Sequence, residues 1–260
     1  MRKIFVSVFV AALFAPMVLT AQTAESQQEE SPFDYGVSLD FQSRYIWRGQ
    51  SLGGSAACLQ PGTYFNWKGL EIGAWGSFSM TIRPYAELDL YLSYTFWKDR
   101  FTVIFTDYSF PFEEDADFNY FDYENNHVLE AGFSYNGEEK VPISAGVFVN
   151  VFGADAQKEN GKNVYSVYGE LAYNPRWEKT GVDFSIFVGF AFNGPAYKDA
   201  FGDPVLGFYG TNKFGVVNTG VSATKTFQIN KTLSIPLSAA LIFNPCSKKA
   251  YFTASVGIAL

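Results

Sequence analysis

Polar and apolar residues alternate with period two along most of the chain, and few stretches show the spacing of an amphipathic helix. In the first such segment Tyr35, Val37, Leu39, Phe41 and Tyr45 share one phase, while Gly36, Ser38, Asp40, Gln42 and Arg44 share the other. The alternation returns over residues 70–78, 86–96, 129–135, 143–151, 182–192, 233–243 and 252–260, and more weakly over 58–67, 101–110, 163–173 and 214–227. This predicts about twelve strands, each near the roughly 9–11 residues that cross a bilayer at a tilt.

The connectors alternate in length. Residues 66–69, 97–100, 136–140, 174–181 and 228–231 are short and polar, whereas 48–57, 110–126, 153–162 and 193–213 are longer. Short turns at one end and long loops at the other are the layout of an all-β, antiparallel, up-and-down transmembrane β-barrel. A soluble sandwich needs neither so many one-sided strands nor such unequal connectors. Trp67, Trp97 and Trp177, three of five tryptophans, fall in the short turns. They fit an aromatic girdle at the periplasmic interface, or ordinary turn packing.

The N-terminus changes the picture further. Arg2 and Lys3 precede an apolar run to Leu19 and then the small residues Thr20 and Ala21. This predicts a secretory signal peptide over 1–21, followed by a polar linker over 22–33 and a barrel over 34–260. The expected location is the outer membrane of a Gram-negative bacterium, with both termini periplasmic, as an even strand count requires. The expected surroundings are outer-membrane lipid and lipopolysaccharide, with barrel-assembly machinery engaged during insertion. The final strand ends on Leu260 in the apolar phase, similar to the C-terminal signal that this machinery reads.

Charge then narrows the partners. The formal net charge of −7, lowered by two to −9 on loss of Arg2 and Lys3, argues against nucleic acid. Aromatics reach 18% and charged residues only 17%, below the quarter usual in a soluble domain. A single histidine makes a His-ligated metal improbable, and no cofactor is expected.

Assigning the polar phase to the lumen turns Asp40, Arg44, Glu71, Glu87, Asp89, Glu130, Glu170 and Asp183 inward, with Arg48 one step beyond Arg44. Tyr45 and Trp47 then face lipid at the outer end of the first strand. An excess of carboxylates in a narrow lumen favours cations. Two arrangements fit these residues: an open, charged constriction, or an ion-pair plug in which Arg44 meets Asp40 or Glu87. The acidic stretch FPFEEDADFNYFDYENN (110–126) reads as a solvated loop and lacks the calcium-loop pattern.

Two further features bear on chemistry. Barrel hydrolases place a serine two residues after a histidine, so that base and nucleophile share a strand face. Here Val128 and Leu129 follow His127, which is expected at the rim in the apolar phase, so no catalysis is expected. Cys58 opens the second strand and Cys246 lies in the last outer loop. Barrel closure brings these loops near each other, leaving a disulfide or two free thiols, according to whether the Cα atoms come within about 7 Å.

Several short stretches carry a resemblance. SRYIWRGQS (43–51), GAWGS (73–77), ELDLY (87–91), TDYSFP (106–111) and, more weakly, LEAG (129–132) occur in the order found in the TorF-type porin family, also described as Gcw_chp conserved hypothetical proteins. The chain resembles that family through the first half of its mature length. The resemblance implies an outer-membrane barrel of the porin type with no established substrate and supplies no catalytic residues; with the charged lumen, the expected function is passive diffusion of small solutes. The alternative is a closed barrel with a structural or surface-interaction role for its long loops.

Overall fold

In a computed structural model, the structure describes residues 33–81, 85–111, 118–138 and 140–260. The expected signal peptide, nearly all of the linker, and Glu113, Glu114, Asp115 and Asp117 of the acidic loop lie outside these residues. The strands are β1 (Phe33–Gln42), β2 (Tyr45–Trp47), β3 (Gln50–Leu52), β4 (Cys58–Trp67), β5 (Leu70–Ser79), β6 (Ala86–Phe96), β7 (Phe101–Ser109) and β8 (His127–Tyr135). They continue as β9 (Ile143–Gly153), β10 (Val167–Tyr173), β11 (Arg176–Trp177), β12 (Val182–Ala191), β13 (Gly215–Gln228), β14 (Ser234–Asn244) and β15 (Lys249–Ala259).

Each long strand pairs antiparallel with the next, and β15 returns to β1 with Leu39 opposite Ile258 and Phe41 opposite Val256. Omitting β11, a two-residue extension on β12, and β2–β3, a separate hairpin, twelve strands close the barrel. Closure pairs every strand on both edges, so no row of backbone donors faces lipid.

The outer face explains what such a barrel is for. Leu39, Phe65, Ile72, Leu90, Phe105, Phe133, Val147, Leu171, Ile186, Val221, Leu241 and Phe252, one per barrel strand, are all exposed. A continuous apolar belt of this kind is unstable in water and matches a bilayer, so the barrel is transmembrane. At the end with the termini, Trp67, Trp97 and Trp177 are exposed. Trp67 stacks 6.4 Å from Phe33, and Trp97 stacks 5.4 Å from Phe101.

The first strand departs from expectation. It was predicted to run through Tyr45, but it stops at Gln42, and β2–β3 folds back as a tight hairpin. Its two-residue turn is Arg48-Gly49, with φ of 47° and 78°. Positive φ at both turn positions is what the right-handed twist of a two-residue hairpin asks for. The hairpin points into the lumen, and the expectation that Tyr45 and Trp47 face lipid is overturned: Tyr45 is buried against Cys58 and Trp75, and Trp47 packs on both inner aromatic clusters.

Two register irregularities face the hairpin tip. Between β8 and β9 the pairing slips at Leu129/Glu130, placing Glu130 opposite Asn150. Between β12 and β13 it slips at Gly189/Phe190, and Val217 is the extra residue. A bulge re-aims side chains locally, and both bulges lie where the hairpin docks. On the inner face of β12–β15, Ser185, Ser222, Ala240 and Thr253 lie in register as a row of small side chains beside the larger Phe187 and Tyr251.

Candidate functional site

The hairpin tip is the centre of the site. Arg48 sends Nη1 to Glu130 Oε2 at 2.5 Å and Nη2 to Oε1 at 2.8 Å, a two-pronged contact with both side chains only 1% exposed. Nη1 also donates to Tyr209 Oη at 2.9 Å, and the Tyr108 hydroxyl donates to Glu130 Oε1 at 3.0 Å. The guanidinium carbon lies 4.5 Å from the ring centre of Tyr168, 4.6 Å from Trp47, 4.7 Å from Phe148 and 5.5 Å from Tyr209. These rings present their negative faces to the cation and exclude water from it.

Burial is the largest single influence and opposes the Arg48 charge, but Glu130 together with Tyr209 and Tyr108 outweighs it and holds the guanidinium well above its ordinary range. Burial likewise pushes the Tyr209 phenol well above its usual range, keeping it a donor.

Backbone contacts seat the tip on the far wall. Asn244 Nδ2 donates to Gly49 O at 3.1 Å. A Cβ at Gly49 would fall 1.9 Å from Val217 O, so the turn needs glycine for close approach as well as for φ. The loop over 192–214 closes from the other side: Gln50 Nε2 donates to Phe208 O at 3.0 Å, and Phe208 meets Trp47 edge-on at 5.7 Å. Between them the two loops reach strands β7 to β10, β13 and β14 across the lumen.

A second cluster holds the base of the hairpin. Tyr45 donates to Glu87 Oε1 at 3.1 Å and Tyr85 to Glu87 Oε2 at 2.7 Å, while Tyr45 lies 5.4 Å from Trp75. Asp89 is buried beside Glu87 with Oδ1 unbonded among the described residues. Glu170 accepts from Tyr168 and, at 3.0 Å, from Asn218. Of the residues predicted from the polar phase, Arg48, Glu130, Glu170, Glu87 and Asp89 thus belong to one buried assembly at the long-loop end.

The others do not. Arg44 pairs with neither Asp40 nor Glu87; it is half-buried, with its guanidinium 5.9 Å over Tyr251. Asp40 is buried on the opposite wall over Gly257. Glu71 accepts from Asn66 and Tyr91 near the short-turn end. Asp183 forms an exposed pair with Arg176 at that rim, 2.9 Å away, which takes it out of any constriction.

Of the two alternatives for Cys58 and Cys246, the structure has two free thiols. Cys58 turns inward against Tyr45 and Trp75, whereas the Cys246 sulfur lies against Gly215. His127 does lie in the outward phase, but it is fully buried rather than at an open rim. Its Nδ1 is 2.7 Å from Asp107 Oδ1 and its Nε2 2.6 Å from Tyr120 O, with the Tyr123 ring stacked 4.1 Å away. It therefore clamps the loop over 118–126 against the outside of β7 and β8.

Sequence reasoning missed Tyr108, Phe148, Tyr168, Tyr209 and Trp47. Tyr108, Phe148 and Tyr168 stand in the inward phase of their strands, which is a usable signal; Tyr209 lies in a loop with none. The stretches that carried the family resemblance converge here: Arg48 from 43–51, Trp75 from 73–77, Glu87 from 87–91, Tyr108 from 106–111 and Glu130 from 129–132.

Fold and lumen together define a twelve-stranded transmembrane β-barrel carrying an inward-folded, arginine-tipped hairpin. No family model matches the chain, and no curated protein matches it. Among solved structures it is similar to the NanC porin in a rhombohedral crystal form, with 9% identity and a TM-score of 0.43 over 87% of this chain and 99% of that one. It is also similar, at 8% identity and a TM-score of 0.43, to a chain solved in work on the in-meso crystallization of membrane proteins, over 87% of this chain and 83% of that one.

Proposed function

We propose that this protein is an outer-membrane channel of the porin type, related to the TorF-type family, which passes small solutes through a cation-favouring lumen and is held shut at rest by the Arg48 hairpin. In this reading the termini and short turns are periplasmic. The barrel sits in outer-membrane lipid and lipopolysaccharide after insertion by barrel-assembly machinery.

The observation that carries it is the contrast between the sealed long-loop end and the β13–β15 wall below it. At the long-loop end Arg48, Glu130, Tyr108, Tyr168 and Tyr209 are all buried. Below them Ser222, Thr224, Ser238, Ala240 and Ser255, on the inward phase of β13–β15, stay half-exposed. In this reading the stopper is made of loop, not of wall, and sits above a row of small side chains on β13–β15. Asp40, Glu71, Glu87, Asp89 and Glu170 face inward, while the buried arginine neutralises Glu130. Such an acidic lining favours cations once the stopper is displaced.

The test is reversal potential across a planar bilayer under a potassium chloride gradient. Glu87→Gln with Asp89→Asn should reduce the preference for potassium over chloride at least twofold. An unchanged ratio in a folded, conducting double variant contradicts the assignment of these residues to the permeation path.

A further inference from the structure

We propose that the cage around the Arg48 side chain is a binding site for guanidinium-bearing solutes, which the chain fills with its own arginine. Binding itself stands apart from the channel reading; its consequence for transport rests on it.

The site has the chemistry of a receptor. One carboxylate, Glu130, meets both prongs of a planar guanidinium and is itself oriented by the Tyr108 and Tyr209 hydroxyls. The rings of Tyr168, Trp47 and Phe148 lie within 4.7 Å of the cation. Glu130, Tyr108, Phe148 and Tyr168 belong to barrel strands and remain in place if the hairpin withdraws.

The fit is to the fork and not to the tether. Arg48 Nε is buried without a hydrogen-bond partner among the described residues, so the connected arginine leaves one donor unsatisfied there that a small free guanidinium can turn to another direction. An ammonium ion lacks the planar fork and matches the paired carboxylate oxygens less well. Beside the cage, Trp47, Tyr85, Glu87, Tyr108 and Phe208 line a cavity of about 130 Å³, an acidic, aromatic approach for a cation.

An incoming guanidinium therefore competes with Arg48 for Glu130. When it wins, the hairpin loses its main anchor at the tip, and the Asn244, Gln50 and Tyr45 contacts are left to hold it.

Calorimetry on detergent-solubilised barrel tests this with methylguanidinium as the probe and ethylammonium as the control. The Arg48→Ala variant should bind one methylguanidinium at least tenfold more tightly than the wild type, and at least tenfold more tightly than it binds ethylammonium. Arg100→Ala, which removes an exposed pair with Glu138 in a short turn, should behave as wild type. If Arg48→Ala does not fold, Arg48→Lys keeps the charge without the fork and should still bind methylguanidinium more tightly than wild type. No binding to either folded variant, or equal binding of ethylammonium, overturns the proposal. Because calorimetry does not depend on conduction, binding without conductance supports the site and counts against the channel reading alone; conductance without binding overturns the site alone.

Discussion

Arg48 and Glu130, 82 positions apart in the chain, meet across the barrel lumen as a two-pronged ion pair with each side chain 1% exposed. One partner rides on a loop hairpin and the other is fixed in a wall strand. A charge pair so placed is a latch: it costs desolvation to form and leaves a stranded charge when either partner is lost.

Glu130→Gln keeps the shape of the wall and removes its charge. It should destabilise the barrel by about 3–5 kcal/mol, because Arg48 is then buried without a counter-charge. Glu130→Gln combined with Arg48→Met should recover most of that loss. Urea unfolding of all four proteins in the same lipid reads the coupling, and an additive double variant contradicts the latch.

Gly49→Ala attacks the same latch through the backbone. Its Cβ would meet Val217 O at 1.9 Å, and its φ of 78° disfavours alanine. The hairpin should unseat while the twelve wall strands stay paired. Limited proteolysis should then cut within residues 43–57 in the variant and not in the wild type, with circular dichroism unchanged. Equal resistance in both proteins contradicts the docking of the turn.

The two thiols should differ sharply in reactivity. Cys246 is exposed and Cys58 is 1% exposed beneath Tyr45 and Trp75. Without reductant, maleimide should add once to the folded protein and twice after denaturation. A protein that takes no label until it is reduced would instead carry the disulfide.

The architecture was legible because a barrel strand declares itself twice, by period-two alternation and by turn residues at its ends. The weak segment at 58–67 coincides with β4, and 101–110 with β7 to within one residue. The hairpin was legible too, yet it was read as the continuation of a strand. Trp67-Lys68-Gly69-Leu70 and Trp47-Arg48-Gly49-Gln50 share one turn chemistry, and both turns have positive φ at the basic residue and the glycine. The first was recognised because apolar strands flank it. The second was not, because the alternation of β1 runs on past Gln42 and hides the bend at Ser43 and Arg44.

Which inward carboxylates would meet was beyond reach. Phase places a residue on a face but says nothing of what folds over it. Glu130 and Glu71 share an inward phase, yet one is sealed by two loops and the other sits near the short-turn end with Asn66 and Tyr91. Tyr209 reaches Glu130 from a loop whose path depends on tertiary packing and leaves no periodic trace.

Single-channel recording of the wild type and Arg48→Ala in planar bilayers tests the central claim most directly. With both proteins shown to be folded, Arg48→Ala should give discrete steps with an open probability at least tenfold above that of the wild type. A folded Arg48→Ala barrel that shows no channel steps would contradict the account, leaving the lumen closed by something other than the Arg48 hairpin.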